Sequence, residues 1–154
     1  PEELMAAVDR DVYATTDGAR YATAIYGVLD AVTSRLLLVN AGHPAAFVIP
    51  PSPSTPVRAL TATGPALGLI EAGTFGSHSL KLTPGSLFVA YTDGVHEARD
   101  AADEEFGENR LIQLATQHRD RSAAEICAAV LTAVREHRGV VQDQDDVTIL
   151  VVKA

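Results

Sequence analysis

The sequence predicts an α+β fold, in which helices and antiparallel strands occupy separate parts of the chain. About six short segments rich in β-branched, aliphatic and aromatic residues follow one another between positions 21 and 91. Helical periodicity is confined to the start of the chain and to the region after these segments. A length of 154 residues suits one compact domain, so a single domain over 1–154 is expected.

The chain opens with a helical pattern. Pro1 and the two acidic residues after it stand where a helix N-terminus favours them. Apolar residues then recur at helical spacing: Leu4, Met5, Val8 and Val12. A short amphipathic helix is therefore predicted before the Asp17-Gly18 turn.

The β-type segments come next. Consecutive antiparallel strands are predicted at 21–30, 35–42 and 45–49. The proline-rich stretch PPSPSTP, residues 50–56, cannot form a central strand and is predicted to be a surface loop. Further strands are expected within VRAL, within GSHSLKL and in the apolar run 87–91.

Two helices and a last strand complete the pattern. The first helix is indicated by apolar residues at helical spacing: Leu111, Leu114 and Ala115. Ser122 and Glu125 have the spacing of a capping box, and Gly139 is suited to the end of the second helix. The stretch DDVTILVVK, residues 145–153, predicts a final strand.

The composition excludes several classes of protein. Acidic residues outnumber Lys and Arg by 20 to 12, for a net charge of −8, so nucleic acid is not an expected partner. The single cysteine, Cys127, cannot form an internal disulfide, which fits a reducing cytoplasm. No apolar run approaches the roughly 18 to 20 residues that cross a bilayer, and the opening residues lack the basic-then-apolar order of a secretory signal. A cytoplasmic protein without membrane contact is therefore predicted.

Carboxylates stand at the ends of two predicted strands. Asp93 follows the apolar run 87–91, and Asp145-Asp146 opens the last strand. If these strands are antiparallel neighbours, the carboxylates meet at one sheet edge, where Mn²⁺ or Mg²⁺ could offset their repulsion. Gly94 would let a backbone carbonyl or a metal-bound water approach closely. An ordinary turn beside solvated acids is the alternative, and the residues alone leave both open.

A set of motifs resembles a known family. In chain order these motifs are YATAIYGVLD, LLLVNAGHPAAFVI, GPALGLIE, LTPGSLFVAYTDGVHEAR, EEFGENRL and DDVTILVV. The series resembles the SpoIIE/RsbU branch of the metal-dependent PPM serine/threonine phosphatases over nearly the whole chain. The resemblance implies an α-β-β-α sandwich of antiparallel sheets with a two-metal Mn²⁺ or Mg²⁺ centre at one edge.

The resemblance also implies roles for individual residues. Asp93 and Asp145 are the implied metal ligands and catalytic residues; Gly94 is expected at the metal on the separate ground of close approach given above. Asp146 is assigned a supporting position behind the ligands, and Glu97 is expected to position a water or support the loop. His43, in Ala-Gly-His-Pro, is assigned to the support of its loop.

The implied reaction is hydrolysis of phosphoserine or phosphothreonine by a metal-bridging water, without a covalent phosphoenzyme. The implied substrate is a phosphorylated anti-anti-sigma protein of the STAS type in a partner-switching pathway. Such chemistry needs no Ser, Cys or His nucleophile, which agrees with the motifs present.

One expected motif is not found in these residues. The family's Gly-Asp-Val-x-Gly turn, with the Asp that bridges both metals, would precede the first helix, together with the first strands and a central helix. A fragment of a longer polypeptide, a partial sequence and a shortened, inactive protein are the alternatives. A non-catalytic binding module is thus the competing hypothesis, and an unrelated α+β protein a third. Uncovered strand edges predict self-association, in the simplest case a homodimer.

Overall fold

The computed structural model describes residues 1–139 and 146–154. Two compact units are formed, the first by Pro1–Ala45 and Ala59–Thr83, the second by Ala46–Arg58 and Pro84–Ala154. In chain order the elements are α1 (Glu2–Thr16), β1 (Ala24–Asp30), β2 (Arg35–Ala41), β3 (Ala46–Ile49), β4 (Arg58–Leu60), β5 (His78–Lys81), β6 (Leu87–Tyr91), α2 (Asp93–His96), α3 (Gly107–Gln117), α4 (Ala123–Arg138) and β7 (Ile149–Lys153).

The first unit combines α1 with a three-stranded sheet in the order β1-β2-β5. Both strand pairs are antiparallel, and β1 and β2 are in register from Ala24 opposite Ala41 to Asp30 opposite Arg35. The apolar face of α1 lies against the sheet through Met5, which clusters with two residues of β2 and one of the loop between β4 and β5: Val39, Ala41 and Leu67. The amphipathic helix predicted from the opening residues is thereby confirmed.

The second unit contains the antiparallel strands β3, β6 and β7, with β6 between the other two. Every residue of β3 and β6 is buried. Helix α3 packs against β3 and α4, and α4 packs against β7. Four fully buried residues of the two helices contribute to the core: Leu111, Ile126, Val130 and Val134.

The predicted capping box at the start of α4 is confirmed. The Ser122 hydroxyl accepts a hydrogen bond from the Glu125 amide at 3.3 Å, and the Glu125 carboxylate accepts one from the Ser122 amide at 2.9 Å. The helix ends at Arg138 and is followed by Gly139 with a φ of 56°. This is the end that the sequence predicts.

The strand predicted at 45–49 forms, but it pairs with β6 instead of continuing the sheet of β1 and β2. The chain leaves β2 through Gly42, whose φ is +67°. A Cβ at this position would lie 2.8 Å from the Ala66 amide nitrogen, so only glycine fits the turn without displacement. Local strand patterns identify β3, whereas its partner depends on this turn and on long-range packing.

Strand β1 exposes apolar side chains at the edge of its sheet. Tyr26, Val28 and Leu29 are 37%, 46% and 43% exposed. Among the described residues β1 pairs with β2 alone. Because an open apolar edge is a template for pairing with another chain, we expect residues 1–154 to self-associate through β1.

Val28→Lys is expected to shift this self-association toward the monomer, because a lysine on an edge strand opposes pairing. Light scattering over a concentration series measures the shift. The matched control is Val32→Lys, since Val32 is 95% exposed but lies outside β1. A monomeric wild type at every concentration, or equal effects of the two substitutions, would contradict pairing through this edge.

Candidate metal centre

Strand β6 carries Asp93 to the surface at the end of a buried strand. Tyr91 is its last residue, and Thr92 is the residue before the one-turn helix α2, which begins at Asp93. The Asp93 side chain is exposed, whereas Gly94 is buried. The Asp93 carboxylate accepts a hydrogen bond from the Gly94 amide at 2.9 Å, which fixes one oxygen and leaves the other toward solvent or a ligand.

Thr92 joins this turn to the start of the last strand. Strands β6 and β7 are antiparallel, with Tyr91 opposite Ile149. The Thr92 hydroxyl donates to the Asp146 carbonyl at 2.8 Å and accepts from the Thr148 amide at 2.9 Å. The Thr92 amide also donates to the Thr148 carbonyl at 3.0 Å.

These bonds confirm that the end of β6 and the entry to β7 lie at the same edge. Asp93 and the Asp146 backbone are consequently held near each other by Thr92. Asp145 lies outside the described residues, so its metal-binding role stays a prediction. The sequence analysis did not single out Thr92, because its partners lie more than fifty positions away in the chain.

The Gly94 carbonyl has a cationic neighbour that sequence reasoning missed. Arg138 Nη2 donates to the Gly94 carbonyl oxygen at 2.9 Å, and Arg138 is only 8% exposed. Arg138 stands in the last turn of α4, where basic residues are favoured by the helix dipole. The helix end alone is enough to explain a basic residue at this position, and no local sequence pattern indicates the contact with Gly94.

An aromatic and ionic group packs beneath the turn. The Tyr91 hydroxyl donates to the Glu108 carboxylate at 2.8 Å, and the His96 ring meets the Tyr91 ring edge-on at 5.5 Å between centroids. Burial, followed by the Glu108 hydrogen bond, raises the pKa of Tyr91 far above its ordinary value. The phenol thus stays protonated and keeps its bond to Glu108.

Of the three residues predicted to support the site, Glu97 and His43 lie in different units. Glu97 is 61% exposed by side chain, and its carboxylate lies 3.6 Å from His96 Nε2. His43 belongs to the first unit, where its Nδ1 and the Thr23 hydroxyl are 2.9 Å apart. The His43 amide also donates at 2.8 Å to the side chain of the fully buried Asn40. These bonds fix the Ala-Gly-His-Pro loop, the role assigned to His43, and the supporting role of Glu97 at the site stays a prediction.

The donor atoms at this edge suit a hard cation. The Asp93 carboxylate and the Gly94 carbonyl are oxygen ligands of the kind that Mg²⁺ and Mn²⁺ prefer. Within residues 1–139 and 146–154, no group of three or more His, Cys, Asp and Glu side chains could hold a metal ion. The described residues therefore supply oxygen atoms of suitable chemistry, and their role as metal ligands stays a prediction. No helix in these residues has the length and apolar character needed to cross a membrane.

Comparison with solved structures identifies the fold. The RsbU and RsbW domains of Rv1364c from Mycobacterium tuberculosis superpose with a TM-score of 0.77 at 26% identity, over 99% of this chain and 41% of that one. The SiaA-PP2C domain of Pseudomonas aeruginosa gives a TM-score of 0.74 at 19% identity, over 98% of this chain and 69% of that one. The fold is that of PP2C-type phosphatase domains, and the predicted PPM-like class is confirmed.

The chain belongs to the SpoIIE family, because the family profile described as "Stage II sporulation protein E (SpoIIE)" matches residues 1–154. It is 29% identical to phosphoserine phosphatase RsbP of Bacillus subtilis over 156 residues, 99% of the chain. It is also 39% identical to protein IcfG of Synechocystis over 108 residues, 69% of the chain. The matches span 36% of RsbP and 17% of IcfG, so the chain corresponds to a minor part of each.

Proposed function

We propose that this chain is part of the catalytic domain of a protein phosphatase that hydrolyses phosphoserine or phosphothreonine. The observation that carries the proposal is the placement of Asp93. An exposed carboxylate follows a fully buried strand, and Thr92 ties this strand end to the Asp146 backbone at the entry to the neighbouring strand. The name of RsbP, a phosphoserine phosphatase, supports the same reaction. Similarity across both units supports a single domain, which we place in the cytoplasm.

The residues at the turn have separate roles in metal binding and in supporting the ligands. Asp93 and Asp145 would hold Mn²⁺ or Mg²⁺ by their carboxylates, and Gly94 by its carbonyl. The ions, when bound, supply a water of lowered pKa and neutralise charge on the phosphoryl oxygens. Thr92 keeps the two strand ends together, and Asp146 and Glu97 support the ligands. No side-chain nucleophile is required.

For the substrate, we propose a phosphorylated anti-anti-sigma protein of the STAS type. A solved relative joins RsbU and RsbW domains in one polypeptide, and RsbP bears the name of the same system. Those names support a partner-switching pathway for this chain. The residues of the turn recognise a phosphoryl group and contain nothing that selects one phosphoprotein from another.

A non-catalytic binding module is the second candidate. The observation favouring it is that the described residues do not assemble three metal-binding side chains at one place. In such a module, the turn at Asp93 would still be presented at the surface and could hold a partner. Phosphate release by a catalytic domain would require a divalent ion, whereas partner binding by such a module would not.

The assay that separates the two candidates is phosphate release from a phosphoserine-bearing STAS protein. We expect the natural full-length protein to release phosphate with Mn²⁺ and to lose that activity in EDTA, because neutralisation of the phosphoryl charge depends on the ion. Phosphoprotein incubated with Mn²⁺ alone is the control. Binding of the STAS protein without phosphate release at any Mn²⁺ or Mg²⁺ concentration would favour the binding module.

A further inference from the structure

The tripeptide Thr-Asp-Gly occurs twice in the sequence, at residues 16–18 and at residues 92–94. An aspartate followed by glycine is prone to a spontaneous rearrangement of the main chain, because glycine has no side chain to hinder the approach of its nitrogen. The sequence alone gives the two pairs the same reactivity. Their settings in the fold differ, and this difference separates a pair that can react from one that is protected.

The rearrangement begins when the amide nitrogen of the glycine attacks the side-chain carboxyl carbon of the aspartate. A carbon–nitrogen bond forms, and a carboxyl oxygen leaves as water with the carboxyl proton and the amide proton, which gives a succinimide ring. Water then adds to one of the ring carbonyls and opens the ring. Cleavage at the former main-chain carbonyl gives isoaspartate, and the reaction consumes no oxidant, reductant or cofactor.

Asp17 lies in an exposed turn directly after α1. Its backbone is left-handed, with a φ of 51° and a ψ of 37°, a conformation that is unfavourable for residues other than glycine. The turn is closed by the Ala19 amide, which donates to the Thr16 carbonyl at 2.9 Å. Rotation of the Asp17–Gly18 peptide toward ring closure therefore relieves an unfavourable conformation and opens only this surface turn.

Asp93 stands in the same tripeptide but in a different setting. Gly94 is buried, and both residues belong to helix α2. The Glu97 amide donates to the Asp93 carbonyl at 2.9 Å, and the Gly94 amide donates to the Asp93 carboxylate at 2.9 Å. Rotation of the Asp93–Gly94 peptide would break the bond from Glu97 and displace a buried glycine. Ring closure here thus requires α2 to open.

We propose that Asp17–Gly18 is a site of spontaneous isoaspartate formation in the native protein, and that the fold protects Asp93–Gly94 from the same reaction. The product at position 17 has one additional methylene in the main chain directly after α1, and the former main-chain carboxyl becomes its side group. The inference does not depend on the proposed function, because it uses only the exposure and the backbone bonds of the two turns.

The test is the isoaspartate content of the natural full-length protein after incubation for weeks at physiological temperature and neutral pH. Trypsin separates the two pairs into peptides 11–20 and 82–99, in which a protein isoaspartyl methyltransferase with labelled S-adenosylmethionine marks isoaspartate. Asp93 is expected to react about tenfold or more slowly than Asp17, because only the open fraction of α2 can form the ring. In denaturant the two pairs should react at similar rates, since the tripeptides are identical.

Two substitutions assign the label to one residue of peptide 11–20. Asp17→Glu should remove the label from this peptide, because glutamate must close a larger ring, which forms more slowly. Asp11→Glu is the matched control, since Asp11 is an exposed aspartate of the same peptide that precedes Val12, and it should leave the label unchanged. Circular dichroism before and after incubation verifies that the native samples stay folded.

Three results would overturn the inference. Equal rates at Asp17 and Asp93 in the native protein would show that the fold does not separate the two pairs. A native protein without isoaspartate in peptide 11–20, when the denatured chain forms it, would show that the turn protects Asp17 as well. Absence of isoaspartate in both states would remove the reactivity on which the proposal depends.

Discussion

Asp93→Asn is expected to lower metal-dependent phosphoserine hydrolysis by at least about a hundredfold, beyond the range typical of groups that only support metal ligands. Asparagine has nearly the shape of aspartate and retains an oxygen that can accept the 2.9 Å hydrogen bond from the Gly94 amide. What it removes is the negative charge, and a hard divalent cation depends on anionic oxygen ligands. The loss should therefore appear in the chemistry of the site and leave the turn folded.

Phosphate release and Mn²⁺ affinity, measured on the same preparations, check this expectation. Asp120→Asn is the matched control, because Asp120 is an exposed aspartate of the same unit that takes no part in the proposed site. The control should retain wild-type activity and unfolding temperature. Activity within about threefold of wild type in Asp93→Asn would exclude Asp93 as a metal ligand, since that change corresponds to less than 1 kcal/mol.

The edge at Asp93 was predictable because it depends on short-range patterns. An apolar run of strand length ends just before Thr92 and Asp93, and a second such run begins after Asp146. Antiparallel pairing was assumed from the pattern, and the register of Tyr91 with Ile149 confirms it. The order of helices and strands was predictable for the same reason, except for the one-turn helix α2, which is too short to show periodicity.

Contacts between distant segments were not predictable from one sequence. Arg138 and Asp9 are both charged residues on amphipathic helices, where charge normally marks the solvent side. The structure buries both, and each charged group bonds to backbone atoms far away in the chain, Arg138 in the short helix α2 and Asp9 in the 68–73 loop. No local pattern distinguishes such residues from exposed neighbours like Arg135 and Asp11.

Asp9→Ala is expected to cause the largest loss of stability, a decrease of about 3 to 5 kcal/mol in the free energy of unfolding. Asp9 is fully buried on α1. Its two carboxylate oxygens accept hydrogen bonds from the Gly68 amide at 2.8 Å and the Gly73 amide at 2.9 Å. Alanine would leave two buried amides without an acceptor, and the closely fitting loop could not easily shift to find others.

The fit of that loop is visible at Gly73. A Cβ there would lie 2.9 Å from Asp9 Oδ2 and 3.0 Å from Pro65 Cγ, so the loop backbone lies directly against the carboxylate. At about 2 to 4 °C per kcal/mol for a chain of this size, Asp9→Ala should lower the unfolding temperature by about 10 °C. Circular dichroism on heating measures the change.

Two further variants serve as comparisons for the loss of stability in Asp9→Ala. Asp9→Asn retains one accepting oxygen but turns an NH₂ toward the second amide, so its loss should exceed half of the loss in Asp9→Ala. Asp11→Ala removes an exposed carboxylate from the same helix and should change stability by less than about 0.5 kcal/mol. If Asp9→Ala instead unfolds within about 2 °C of wild type, the two amides find other acceptors, and the carboxylate is not what holds α1 to the 68–73 loop.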